Sequence, residues 1–337
     1  MSNNAPENTP ESELTNNSVS INWLMLFLKG IVMGAADVVP GVSGGTIAFI
    51  TGIYARLIDA LKTLHPLSLA LWYQQGFAVF WRAIDGRFLL TLFAGIITSV
   101  LSLAKIIHYM LDVYPIPVWS FFFGLVIASI IYIGKQITNY SPKTIIALVL
   151  AGVFSYGITL AKPIADTESI WFLFFAGFIA IIAMILPGIS GAFILLLIGG
   201  YTIVIGAINK LLEAVSTFNI TSLGNALLKI GVFALGAIAG LKVFSGILNW
   251  MFANHKNTTL AVLTGFMIGA LNKIWPWKEV LQYRKNSHGE EIPFIERSIL
   301  PGGYHADPKI MAALFCMLVG FMIIFLLEFV ANKNKPN

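Results

Sequence analysis

Asp37-Val38-Val39-Pro40-Gly41-Val42-Ser43-Gly44-Gly45-Thr46 decides the reading of this chain, because it sets a helix-breaking turn, rich in amides and hydroxyls, between two apolar runs. The turn occurs twice. Leu186-Pro187-Gly188-Ile189-Ser190-Gly191-Ala192 repeats it 147 residues downstream (187 − 40) and keeps the proline, the first glycine, the serine and the second glycine in register. Gly30 and Gly177, and Tyr54 and Tyr201, fall on the same offset, whereas Gly95 and Gly236, and Gly124-Leu125 and Gly265-Phe266, fall on an offset of 141 (265 − 124). The pattern is an internal duplication with one gap.

What surrounds the turns is apolar. The 337 residues are 57% apolar and only 11% charged, with a mean hydropathy of +0.82, which fits an integral membrane protein and not a soluble globule. Helical runs are expected at 23–39 and 44–61 on either side of the first turn, at 88–111, 116–137 and 144–160, then at 170–186 and 192–212 around the second turn, at 226–252 and 258–275, and last at 310–331. Residues 66–81, with Trp72, Tyr73 and Trp81, read as an interfacial helix. Residues 1–20 are polar and lack Lys and Arg, the opposite of a secretory signal, and are expected to form a disordered tail. The chain thus divides into a tail (1–20), repeat 1 (21–137), a connecting span (138–168), repeat 2 (169–275), an extramembrane loop (276–308) and a final transmembrane helix with its tail (309–337).

Counting crossings fixes the relation between the copies. If the runs beside the first turn each span, five crossings precede the second copy; if they form a hairpin, three do. Both counts are odd. The expected fold is an all-α polytopic membrane protein with an inverted-topology internal repeat, whose two re-entrant helical hairpins, or equivalent broken helices, meet near the midplane. The runs beside the breaks are only marginally long enough to span, which favours re-entry. Two full spans joined by a surface turn is the alternative.

The repeated turn suits an anion. Ser43, Gly44, Gly45 and Thr46 place amides and hydroxyls where a helix begins, and Ser190 and Gly191 do so in the second copy, where Phe193 replaces Thr46 and Met184 replaces Asp37. Asp37 reads either as a cap for the turn or as a gate linked to H+ or Na+ that competes with an anionic substrate. Lys105 and Lys242 lie inside apolar spans about one turn from equivalent positions and are candidate phosphate ligands, with snorkelling as the plainer role. Arg56 and Arg87 fall at run ends, with Lys29 and Arg82, as a basic mouth, and Lys162, Lys210 and Lys229 would form its counterpart; ordinary flanking charge is the alternative for each. The five histidines and the single cysteine, Cys316, make no metal or catalytic pattern, so no cofactor or metal is expected. The net charge of +5 comes without basic tracts, which argues for membrane lipids and against nucleic acid as partners. Oligomeric state is not legible in the sequence.

Ala36-Asp37-Val38-Val39-Pro40-Gly41-Val42-Ser43-Gly44-Gly45-Thr46-Ile47-Ala48-Phe49 with Gly52-Ile53-Tyr54, Ala183 through Phe193, and Leu263-Thr264-Gly265-Phe266-Met267-Ile268-Gly269 to Trp275-Pro276-Trp277 resemble the bacterial polyprenyl-phosphate translocases of the PopT type. The resemblance covers nearly everything from about residue 25 to 330. It implies a transporter and not an enzyme, one that returns undecaprenyl phosphate, the lipid carrier of cell-envelope precursors, from the outer to the inner leaflet of the bacterial cytoplasmic membrane. Re-entrant segments are also implied. Membrane pyrophosphatases of the BacA type share part of the turn, but Gly44 and Gly191 stand where their arginine would follow the serine. A small-anion transporter is a further alternative. The basic residues from Arg56 to Arg87, with Lys135, Lys143, Lys333 and Lys335, favour both termini in the cytoplasm.

Overall fold

The computed structural model describes residues 22–38, 43–63, 66–161, 169–217, 220–285 and 291–333. The expected tail at 1–20, residues 39–42 of the first turn and Lys162 lie outside that set. Helix α1 (Trp23–Val38) has 16 residues, about 24 Å at 1.5 Å per residue and short of the ~30 Å hydrocarbon core. Helix α2 (Gly44–Ile50) begins at Ser43, whose extended backbone and hydroxyl make it an N-cap for the Gly45 N–H. Then come α3 (Tyr54–Thr63), α4 (Pro66–Gln75), α5 (Phe77–Ala83), α6 (Gly86–Val113), α7 (Pro115–Gly134) and α8 (Pro142–Leu160). Prolines open α7 and α8 at the first turn, where a missing N–H leaves no bond unmade.

The order then restarts with α9 (Ile170–Ile185), α10 (Gly191–Leu197), α11 (Gly200–Thr217), α12 (Ile220–Asn254) and α13 (Lys256–Ala270), and the chain ends in α14 (Ile310–Lys333). Four of these helices, α6, α7, α8 and α12, are long and apolar enough to cross a membrane, and the bent pairs α2/α3 and α10/α11 raise the number to six among the described residues. One expectation is corrected here. The runs 44–61 and 192–212 are not continuous helices: α2 turns into α3 by 119° and α10 into α11 by 106°. Gly52 and Gly199 sit at the bends with φ of +74° and +82°, a left-handed backbone that stops a helix.

The copies pack alike. A Cβ added to Gly30 would stand 2.3 Å from the Leu92 carbonyl oxygen, and one on its counterpart Gly177 would stand 2.1 Å from the Phe233 oxygen, so α1 lies against α6 as α9 lies against α12. Both pairs are parallel, since Gly30 meets Leu92 and Gly34 meets Ile96, while Gly177 meets Phe233 and Gly240 meets Phe178 and Ile181. The other two pairings cross between the halves. Gly124 of α7 rests on Met317 of α14, and Gly265 of α13 rests on Leu148 of α8. The largest buried cluster draws on both halves, with Ile58, Phe88, Leu92 and Ile133 from the first and Leu260, Leu263, Met267 and Ile274 from the second.

The segment expected as an irregular loop in an all-α protein contains a β-ribbon, β1 (Lys278–Lys285) paired antiparallel with β2 (Glu291–Ser298). A cross-strand ion pair supports it, Arg297 Nη2 lying 2.6 Å from Glu279 Oε2. Trp275 and Trp277 fasten the ribbon to the membrane domain by donating their indole N–H groups to the carbonyls of Ile299 and Pro308, at 2.8 and 2.9 Å. The fold is predominantly helical, and the ribbon is its departure from an all-α chain.

Candidate substrate site where the two turns meet

The interrupted ends of the two copies touch. Helix α9 ends at Ile185, leaving carbonyls without intrahelical donors. The first copy supplies those donors: Ser43 Oγ donates to the Met184 oxygen at 3.2 Å and the Tyr54 hydroxyl to the Ile185 oxygen at 3.1 Å. In the reverse sense, the Gly188 N–H donates to Thr46 Oγ1 at 3.0 Å. A Cβ on Gly45 would fall 2.7 Å from the Ile185 oxygen, so glycine is what lets the backbones approach. Ser43, Thr46 and Tyr54 are buried, with 2%, 1% and 2% of their surface exposed.

Each turn also closes on itself, in different ways. Asp37 Oδ1 accepts the Gly44 N–H at 2.6 Å, placing a carboxylate at the start of α2. A side chain on Gly44 would run into that carboxylate. In the second copy Met184 lies against Gly191 as Asp37 lies against Gly44, so no carboxylate caps this turn. Ser190 and Gly191 are buried, and Ser190, with Gly188, Ser155, Thr159, Phe193 and Lys273, lines a narrow cleft. Lys273 Nζ stands 4.7 Å from the Phe193 ring centroid, a cation–π contact.

Behind the cleft is a charge cluster that the sequence did not disclose. Glu296 Oε2 of β2 lies 3.3 Å from Lys273 Nζ and 3.6 Å from Lys278 Nζ. Lys278 is buried, has no hydrogen-bond partner for its ammonium, and sits 3.4 Å above the Trp119 ring. Burial, with Lys273 nearby, pushes Lys278 down to about 8 against the pull of Glu296. Burial works to raise the Glu296 carboxyl, but the two ammoniums outweigh it and hold it below its ordinary range. Lys273 and Lys278 flank the Trp275-Pro276-Trp277 stretch already singled out, and that adjacency was the one available signal.

The remaining expected site residues lie elsewhere. Arg56 forms an ion pair with Asp85 at 2.6 Å and stacks over Phe88 at 4.6 Å. Arg87 is exposed at the start of α6, and Lys242 is exposed on α12. Lys105 belongs to α6, but its side chain lies outside the described set. Lys29 donates to the Thr51 carbonyl at 2.7 Å. Lys210 and Lys229 do come together, in a cavity of about 640 Å³ between α9, α11 and α12 that also has Ile170, Leu173 and Leu228 in its wall. Among the described residues no cluster of His, Cys, Asp and Glu forms a metal site.

Four to six apolar helices long enough to cross a membrane, packed around the bent pairs among the described residues, define a polytopic membrane protein. The chain belongs to the undecaprenyl phosphate translocase-like family, whose model matches residues 33–292. It is 45% identical over 318 residues, 93% of this chain and 99% of the relative, to a polyprenyl-phosphate transporter of Vibrio cholerae. A polyprenyl-phosphate transporter of Staphylococcus aureus is 33% identical over 267 residues, 75% of this chain and 86% of that one. Both relatives are named as transporters and not as enzymes. No solved structure matches the chain.

Proposed function

We propose that this protein moves a polyprenyl phosphate, undecaprenyl phosphate by family, from the outer to the inner leaflet of the bacterial cytoplasmic membrane, returning the carrier to cell-envelope synthesis. The observation that carries the reading is the interlock of the two turns across the halves, which gives a crossing point with two faces. Inversion of the repeats is supported by helix directions. If α6 runs upward, α7 returns through the single residue Tyr114, α8 rises with its parallel partner α13, and α12, joined to α13 through His255, descends with α9. Helix α1, parallel to α6, then rises while α9 descends. The same reading makes each broken helix re-entrant, with its turn near the midplane.

On this reading both termini lie on one side, assigned to the cytoplasm, and the β-ribbon and the Lys210/Lys229 cavity lie on the other. The cavity suits an incoming lipid: Lys210 and Lys229, which share it with Glu213, meet the phosphate and its apolar wall meets the first isoprene units. The head then passes the hydroxyls and amides of Ser190, Gly191, Ser43, Gly44, Gly45 and Thr46 while the tail stays in the bilayer. Asp37 already occupies the first amide that a phosphate would take, so exchange of carboxylate for phosphate is the step at which H+ or Na+ couples to transport.

A reconstituted leaflet-flip assay tests this. Vesicles containing the purified protein are expected to move undecaprenyl phosphate faster than empty vesicles, and the Ser43→Ala/Ser190→Ala protein to move it more slowly. Equal rates with and without protein would end the transport reading. A wild-type rate in the double variant would remove the turns from it.

A further inference from the structure

We propose that Lys273 is the cation that receives the lipid phosphate beside Ser190, and that Glu296 of the β-ribbon holds Lys273 while the cleft is empty. The inference rests on the transport reading above. Lys273 lies in the turn after α13 and lines the cleft together with Ser190 and Thr159. Two of the cleft's hydroxyls are committed: Ser155 Oγ donates to the Phe266 carbonyl at 2.8 Å, and Thr159 Oγ1 receives the Asn272 amide at 2.7 Å. What the cleft offers an anion is therefore chiefly the ammonium of Lys273, together with Ser190.

The charge balance of the cluster invites exchange. Two ammoniums, Lys273 and Lys278, share the single carboxylate of Glu296, so the group carries one positive charge in excess. A phosphate monoester, with about −1.5 to −2 charges near neutral pH, matches that excess better than a carboxylate does. Exchange leaves no carboxylate stranded, because Glu296 keeps Lys278 when it yields Lys273. The crevice, about 10 Å³ when empty, widens to admit the phosphate. Lys273 is anchored by its own turn, with 16% of its side chain exposed, and its head swings from the ribbon toward the hydroxyl face of the cleft. The ribbon thereby acts as an internal competitor: it presents a carboxylate where the substrate presents a phosphate.

The test uses the full-length protein in vesicles, with initial flip rates measured against undecaprenyl phosphate concentration. Lys273→Gln is expected to raise the apparent KM about tenfold or more, as for loss of one charge-assisted contact. Glu296→Gln is expected to lower it about fivefold, the scale of a partly exposed ion pair, and to have no effect in the Lys273→Gln background. Parallel impairment by both single variants overturns the proposal, because that is how a purely structural ion pair behaves. Should Glu296→Gln lose its cooperative melting transition, Glu296→Asp, which withdraws the carboxylate by one methylene and keeps its charge for Lys278, carries the same expectation at about twofold. Two competitors separate the sources of phosphate. Inorganic phosphate that slows the wild type but not Lys273→Gln assigns the site to phosphate in general, and no competition by it assigns the site to the lipid head; both uphold Lys273. Competition by undecaprenol, which lacks the phosphate, overturns it. If the wild type moves no lipid the transport reading fails, whereas wild-type transport with an unchanged Lys273→Gln overturns this inference alone.

Discussion

Thr46→Val isolates the bond between the two turns. Valine keeps the branched shape of threonine and removes the hydroxyl that accepts the Gly188 N–H at 3.0 Å. That amide is buried. An orphaned buried donor costs about 1–3 kcal/mol. The loss falls on the interlocked arrangement seen here, so it shifts the balance toward separated turns by about 5- to 150-fold. Thr46→Ser is the counterpart: it keeps the acceptor and gives up one methyl, about 0.8 kcal/mol of burial. Thermal melting in detergent is expected to rank wild type, then Ser, then Val, and hydrogen exchange at the Gly188 amide is expected to accelerate in Val and not in Ser. If Val melts at or above Ser and the amide stays protected, the hydroxyl does not tie the turns and the crossing point described here is wrong.

Other expectations follow from other parts of the molecule. Asp37→Asn keeps an oxygen for the Gly44 N–H but removes the charge, so the folded protein should persist while the flip rate becomes indifferent to imposed proton and sodium gradients; a gradient response equal to wild type would take Asp37 out of coupling. Gly124→Ala drives a methyl to 1.9 Å from the Met317 oxygen and is expected to lower stability by about 1–3 kcal/mol. Gly157→Ala, with nothing within 4 Å of the added methyl, serves as its control, expected within about 0.5 kcal/mol by chemical denaturation. Lys278 binds its proton less tightly when docked than when exposed, so the unfolded ribbon holds more protons from about 8 to 10.5, and docking is expected to strengthen as pH rises through that window. Amide exchange in β1 and β2 reports this, and a slope unchanged in Lys278→Met would show that the ammonium is not its source.

Much of the fold was legible because membrane helices announce themselves by length and hydropathy, and because the turn was written twice. The 147-residue offset that pairs Pro40 with Pro187 also pairs Gly52 with Gly199, so the bends after α2 and α10 were encoded too. They do not stand out, because an isolated glycine inside an apolar run is as common in packed helices as in breaks. The ribbon was hidden by its own chemistry: Arg284-Lys285-Asn286-Ser287-His288-Gly289 has turn composition, and the strands on either side show charge where a buried strand shows alternation. At the site, Ser43 and Thr46 were found through the motif, and their partners Met184, Ile185 and Gly188 were not, because backbone groups carry no side-chain signature. Lys242 stood out as a lysine in mid-span yet faces outward, since a long stem satisfies the charge by reaching and not by burying. Lys273 is hidden for the opposite reason. It ends a span, where flanking lysines are ordinary, and only the fold brings Glu296 and Ser190 to it.

The crossed pairing of α7 with α14 and α13 with α8 bears on how the chain is made. A ribosome delivers the first half, including α7 and α8, before the partners of either helix exist, so their glycine faces wait in the lipid until the second half is synthesised. Helix α14 leaves after α13 and the ribbon, and it closes against α7, which was among the earlier spans to be inserted. Helix α14 thereby adds a clasp between the halves after α8 and α13 have met. A chain that stops before Ile310 would keep the α8–α13 contact and the interlocked turns between the halves and would leave the glycine face of α7 uncovered.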